Sequence, residues 1–326
     1  MYQNKNSGLG LLMAEALFSQ AMKDNATTGR VFIVAKSGIT NESEIKALYG
    51  NNYIDGSPVI YNSVKLALAG GCLASRGDLI LVAPGHTETI TGATDLALNI
   101  AGVSVVGIGS GSLRPTFTFT TAITANIPVS AANVTVKNCI FIANFADITA
   151  CFTTAAAPEF RVLNCEFRDT DITHNFLTLI TTTITVNADG LTFNGNRIKM
   201  IGTTAATTPI SLVGTMDRIT INDNFITKAV LNNTSCLLTH AALVVTNLEM
   251  ARNIIFSKNT DSATGGFLII TSSTTNSGMV HDNYVNGLDT AAAILVTAGS
   301  IYGMFNNLYD GDADASGYVL PAIGAN

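Results

Sequence analysis

Seven eight-residue segments of this chain align without a gap. They are "VTVKNCIF" (Val134–Phe141), "FRVLNCEF" (Phe160–Phe167), "LTFNGNRI" (Leu191–Ile198), "ITINDNFI" (Ile219–Ile226), "LEMARNII" (Leu248–Ile255), "GMVHDNYV" (Gly278–Val285) and "YGMFNNLY" (Tyr302–Tyr309). The sixth column reads Cys139, Cys165, Asn196, Asn224, Asn253, Asn283, Asn307, at spacings of 26, 31, 28, 29, 30 and 24 residues. The third column is Val136, Val162, Phe193, Ile221, Met250, Val280, Met304, and the eighth is Phe141, Phe167, Ile198, Ile226, Ile255, Val285, Tyr309. A period of this length held by single columns is the mark of a stacked repeat, in which each unit touches only its neighbours.

The segments carry no helical period. Columns one and three are mainly apolar, so they share one face of a strand. A solenoid satisfies this pattern: each coil adds strands to parallel sheets, and equivalent residues stack about 4.8 Å apart. Asn in the sixth column suits a corner, because it tolerates left-handed backbone and its amide can bond to the next coil. The pattern extends back to "GVSVVGIG" (Gly102–Gly109), with Val105 in column three and Ile108 in column six. About nine coils are expected between Gly77 and Gly311, a rod on the order of 40 Å long.

The ends of a solenoid must be capped. "YNSVKLALAGGCLAS" (Tyr61–Ser75) predicts a helix that plugs the first coil, N-capped by Asn62 or Ser63, with Val64, Leu66, Leu68 and Ala69 apolar. Ahead of it, "RVFIVAKSG" reads as a strand and "NESEIKALYG" as a short helix. "SGLGLLMAEALFSQAMKD" (Ser7–Asp24) reads as an amphipathic helix rather than a signal peptide, since Glu15, Ser19 and Gln20 interrupt it. Its Leu9, Leu12, Leu17 and Met22 are the expected attachment surface. Residues 1–75 thus form a small N-terminal α/β attachment and capping region, 76–311 the solenoid and 312–326 a tail. The uncharged "GYVLPAIGAN" is expected against a neighbouring chain or the last coil.

Composition removes several function classes. No apolar run reaches the roughly 18–20 residues that span a bilayer, so no membrane partner is expected. The net charge is −6, from 17 basic and 23 acidic residues without a basic cluster, which argues against nucleic acid. The cysteines (Cys72, Cys139, Cys151, Cys165 and Cys236) are odd in number and lack a CxxC pair, so free thiols are expected rather than a disulfide scaffold or a zinc site. Cys139 and Cys165 fall in one column, one coil apart.

Four groups of residues could carry chemistry. In "GDLILVAPGHTETI" (Gly77–Ile90), His86 and Glu88 alternate and share a strand face, as a general acid/base pair would. Their place at the end of the rod, beside no other obvious carboxylate, favours a scaffold role. Glu159, Glu166, Asp169 and Asp171, interspersed with Arg161 and Arg168, are the central acidic concentration, and Glu166 reads as a strand residue paired with a neighbouring Arg. Asp310, Asp312 and Asp314 in "YDGDADASG" match the start of a calcium loop, but Ala315 and Pro321 stand where Gly and Glu are required, so a solvated turn is expected. Thr-rich stretches (Thr116–Thr124, Thr181–Val186) do not repeat from coil to coil as an ice-binding face would. No catalytic, cofactor-binding or metal-binding residue is assigned, and no enzymatic activity is expected.

"GDLILVAPGHTETI…LNIAGVSVVGIGSG" (Gly77–Gly111) resembles the first coils of right-handed parallel β-helix proteins of the pectin-lyase-like class. The short N-terminal region, the "PGHTETI" coil and the unadorned rod look like β-helical structural proteins of tailed bacteriophages. The resemblance implies a mainly β fold, a single-stranded right-handed parallel β-helix. It also implies a virion protein assembled in the bacterial host cytoplasm. The expected form is a homotrimer that decorates or cements the capsid, joined through its N-terminal region to the major capsid protein or to tail proteins. The alternative is a tailspike or tail fibre protein that binds or degrades host surface polysaccharide. The Arg and Asp motifs of pectate lyases have no counterpart here.

Overall fold

A computed structural model describes residues 29–36, 53–54, 57–58, 60–182, 188–202, 207–228, 235–241, 244–259, 266–270, 276–288, 295–296, 301–310 and 316–318. Three sheets of eleven, ten and seven strands, parallel except for the last strand of the second (Ser316–Tyr318), wrap one core, and they make the chain a right-handed parallel β-helix. The first sheet holds nine strands of the rod, from Leu79–Val82 to Ile301–Phe305. They follow the sequence period, but the solenoid has about seven turns rather than the nine expected. Seven coils are complete turns with a strand in the third sheet as well, from Ile127–Val129 to Leu295–Val296.

The register follows the columns. Val105, Val136, Val162, Phe193, Ile221, Met250, Val280 and Met304 pair successively across the first sheet. Across a sharp corner, the eighth-column Phe141 and Phe167 line the interior of the second sheet together with Phe117. Phe117, Phe141 and Phe167 stack with centroids 5.4 and 5.2 Å apart, and Phe152 of the third sheet meets Phe141 edge-on at 5.1 Å. Each fully buried ring contributes roughly 1.5–3 kcal/mol over an exposed one, so the columns are the main source of the rod's stability.

The corner between the first and second sheets is a buried amide ladder. Asn196 donates through its backbone N–H and Nδ2 to Oδ1 of Asn224, at 2.9 and 3.1 Å. Asn224 does the same to Asn253, Asn253 to Asn283, and Asn283 to Asn307. The remaining Nδ2 proton of each reaches back to the column-three carbonyl of the preceding coil, such as Val162, Phe193 and Ile221. The backbone role expected of this column belongs one residue earlier. The fifth column (Asn138, Asn164, Gly195, Asp223, Arg252, Asp282, Asn306) is left-handed, with φ of 53–68°. The sixth-column residues keep negative φ and supply the amides. At Gly195 the need is also steric, because a Cβ would lie 2.3 Å from Asn164 Oδ1.

At the N-terminal end, Val31–Val34 forms the strand expected in "RVFIVAKSG". It pairs in parallel with Leu79–Val82, and Ile60–Tyr61 pairs with it in turn. The N-terminal region therefore shares the first sheet with the rod. The cap helix is Val64–Gly70, with Ser63 as N-cap accepting from the Leu66 N–H. Val64, Ala67 and Leu68 are its buried residues, while Leu66 points outward and is 51% exposed, contrary to the expectation that it packs. Both faces of Leu79–Val82 are buried. The expected helices in Ser7–Asp24 and "NESEIKALYG", and the tail beyond Tyr318, lie outside the described residues.

Candidate functional site

His86 and Glu88 do meet. The Pro84–Gly85 corner, with Gly85 at φ 73°, turns the chain into the strand Thr87–Ile90. Glu88 pairs with Phe117 in register, so its side chain points inward, at the head of the Phe117, Phe141, Phe167 stack. His86 is fully buried. Its Nδ1 accepts from the Lys36 backbone N–H at 3.1 Å, which places the ring proton of the neutral form on Nε2, 2.9 Å from Glu88 Oε1. The same Oε1 accepts from the Val64 N–H at 2.7 Å. Val64 is the first residue of the cap helix, so the carboxylate satisfies an otherwise unpaired amide and sits favourably at that helix's start. A general base needs a lone pair that substrate can reach. Here both ring nitrogens and the shared carboxylate oxygen are engaged in joining strand, helix and first coil.

Asp78, one coil face away, was not singled out by the sequence. It is fully buried and accepts from Arg76 Nε and Nη2 at 2.6 and 2.8 Å, and from the N–H groups of Leu73 and Arg30. Burial alone would raise its pKa, but Arg76 and the two amides outweigh burial and hold it below the usual carboxylate range. It fastens the chain on both sides of the cap.

The central acidic group is divided among separate places. Glu166 lies on the outer face of the second sheet, paired with Arg114 and Arg168 as the sequence suggested. Burial opposes its ionisation, but the two guanidinium groups prevail and its pKa is lowered. Asp169 is buried inside the next corner, where Oδ1 accepts from Phe176 N–H and Oδ2 from the N–H groups of Ile201 and Gly202. Burial pushes its pKa up to about 6 against the pull of those three donors. Asp171 is exposed and held well below its ordinary value by the Thr173 N–H and hydroxyl and the His174 N–H. Glu159 pairs with Arg161 and Arg218 on the far side of the first sheet. Each of these carboxylates is thus held by its own set of donors, Glu166 and Glu159 by arginines and Asp169 and Asp171 mainly by backbone N–H groups.

Asp310 ends the strand Leu308–Asp310, while Asp312 and Asp314 lie outside the described residues. Among the described residues no group of three or more His, Cys, Asp or Glu is placed to hold a metal ion. Cys72, Cys139, Cys151 and Cys165 are free and buried, and burial pushes the Cys165 thiol up to about 12. Thr87 and Thr89 stack on Thr116 and Thr118, after which Ile140 and Ile142 interrupt the column. A small void beneath the cap helix, lined by Val64, Leu96, Leu98, Val105, Phe117 and Phe141, is wholly apolar. No helix among the described residues is long and apolar enough to cross a membrane.

The surface feature the sequence reading missed is an outward aromatic ladder. Phe225, Phe256 and Tyr284 lie on three consecutive coils of the second sheet, with centroids 5.7 and 5.9 Å apart, and the Arg197 guanidinium sits 5.6 Å from the Phe225 ring. Phe225 and Tyr284 belong to the seventh column, Ile140, Glu166, Arg197, Phe225, Ile254, Tyr284, Leu308, which alternates with the buried eighth and is at least partly exposed from Glu166 onward, while Phe256 lies two residues further along its strand.

No protein-family model matches this chain, and no curated protein does. Among solved structures, a rhamnogalacturonan lyase is similar over 90% of this chain and 90% of its own, with 12% identity and a TM-score of 0.38. Nothing about activity transfers to this chain at that level of likeness.

Proposed function

We propose that this chain is a structural protein of a tailed-bacteriophage virion, a homotrimeric rod that decorates or cements the head. The observation that carries the reading is the engagement of His86 and Glu88. The pair that most resembles chemistry in the sequence is buried and bonded to Lys36 and Val64, where it stiffens the joint between the rod and its N-terminal region. Asp78, Asp169 and Glu166 are bonded into the scaffold in the same way. Rigidity of this kind serves a part that bears load. The resemblance of the first coils to phage β-helical proteins supplies the setting, and attachment to capsid or tail proteins belongs to the N-terminal region.

The experiment is immunogold labelling and composition analysis of purified particles from the parent phage. The reading requires the chain at regular positions on intact virions; its absence from washed particles overturns it. The aromatic ladder favours a second reading, a tailspike or tail fibre protein whose Phe225, Phe256 and Tyr284 stack on host surface sugars. That reading requires release of reducing ends, or saturable binding, with the host's capsular polysaccharide.

A further inference from the structure

The rod ends on an open strand. Ile301–Phe305 is the outermost strand of the first sheet, and among the described residues nothing pairs with its far side. Open edges are usually guarded by charge, proline or a bulge. The segment "IYGMF" has no charge and no proline, and it pairs with Ser277–His281 without a register shift. In the second sheet the same coil is already covered. There the chain turns back, and Ser316–Tyr318 runs antiparallel to Leu308–Asp310.

The register carries further. Tyr318 faces Leu308, so the chain leaves Tyr318 at the corner, heading back along the coil towards Asn307 and Ile301–Phe305. Neighbouring coils cross this corner with no residue gained or lost: His281 faces Phe305 before it, and Tyr284 faces Leu308 after it. A chain that crosses in the same way sets Val319 and Leu320 beside Asn307 and Asn306. Pro321 then falls opposite Phe305, Ala322 opposite Met304, Ile323 opposite Gly303 and Gly324 opposite Tyr302.

The proline discriminates between alignments. The Phe305 carbonyl accepts from the Asp282 N–H at 3.2 Å, so Phe305 points its backbone groups at the coil before it. That direction alternates along a strand, which turns the backbone groups of Met304 and Tyr302 to the open side. The bonding pairs of an antiparallel partner are then Ala322 with Met304 and Gly324 with Tyr302. Pro321 faces Phe305, where no N–H is required. A shift of one residue either way would place Pro321 at a bonding position and waste a bond. Tyr318–Asn326 carries no charge, which suits cover for an apolar edge. It also belongs to the same chain, so its pairing is intramolecular and favoured over that of a second copy.

We propose that the C-terminal segment from Val319 onward closes the end of the rod, as an antiparallel strand on Ile301–Phe305 in this register. The closure is independent of the virion reading. It occupies the edge on which a further copy would otherwise stack.

The test is disulfide trapping in the full-length chain. Gly303→Cys has room, since a Cβ there meets Gly278 O and Met279 Cγ at 3.8 Å. Directly opposed residues share a face, so Gly303→Cys/Ile323→Cys is expected to close within one chain under mild oxidation. It should do so on the order of tenfold faster than Gly303→Cys/Ala322→Cys, whose side chains point to opposite faces. Peptide mapping without reductant locates the bond, and circular dichroism checks the fold. Equal rates, or no bond between positions 303 and 323, overturn the register. A bond between two chains shows that a second copy takes the edge, and overturns the assignment. If the paired variant loses its β spectrum, residue-resolved hydrogen exchange of wild type decides. The Tyr302 and Met304 amides are expected to exchange on the order of a hundredfold slower than in a free peptide, at every protein concentration. Exchange at the free-peptide rate, or protection that vanishes on dilution, overturns the closure.

Discussion

A single ladder residue carries several bonds at once. Asn253 accepts from the backbone and side chain of Asn224 and donates to Asn283 and to the Ile221 carbonyl. Replacing it by Ala strands buried donors and an acceptor, and each such group costs about 1–3 kcal/mol. Asn253→Ala should therefore lower stability by roughly 3–5 kcal/mol in urea unfolding, and a loss under about 1 kcal/mol would show that the ladder is not under tension to stay intact. Cys165 stands in the same column, its thiol beside the Cys139 backbone and its Sγ 3.4 and 3.7 Å from the Leu163 and Val136 carbonyls. Cys165→Asn should fold and melt no lower than wild type. Asp169 works in the opposite sense with pH. Its folded pKa of about 6 lies above the ordinary value near 3.9 of an unfolded chain, so the folded state binds this proton more tightly. Its contribution is complete below about pH 4 and is lost as pH rises through about 6, a difference of about 2–3 kcal/mol. Compared with Asp169→Asn, wild type should lose stability between pH 4 and pH 7; parallel profiles would contradict the assignment.

At the scale of elements, the cap tests whether Glu88 is structural. Glu88→Ala leaves the Val64 amide and the His86 Nε2 proton without their acceptor, and should cost roughly 2–4 kcal/mol. Glu88→Gln keeps an oxygen at that position and should cost about half as much. Equal losses in the two variants would mean that the charge, not the acceptor, holds the joint. The cap helix and its Ser63 N-cap were legible because capping and apolar spacing are local signals. The strands and their register were legible because a solenoid writes each contact twice, once in every coil. The left-handed corner was misplaced by one residue, since Asn, Asp, Arg and Gly alternate in column five while the uniform Asn of column six draws the eye. The inward aim of Glu88 was hidden for a different reason: its pairing with Phe117 is fixed by register between coils, which no local pattern reveals.

For the whole molecule, the outward seventh column is what sequence alone under-read, because a surface column changes chemistry from coil to coil and lacks a repeated signature. It passes from Glu166 and Arg197 to Phe225, Ile254, Tyr284 and Leu308, so the outer face of the later coils is the more apolar. A rod with apolar later coils, and with its polar candidates fastened into the scaffold, suits the proposed role of a part that assembles. The most direct measurement is the native mass of the wild-type chain over a hundredfold range of concentration. A single species near three times 34.1 kDa is predicted throughout. A species at 34.1 kDa that persists at the highest concentration would contradict the account.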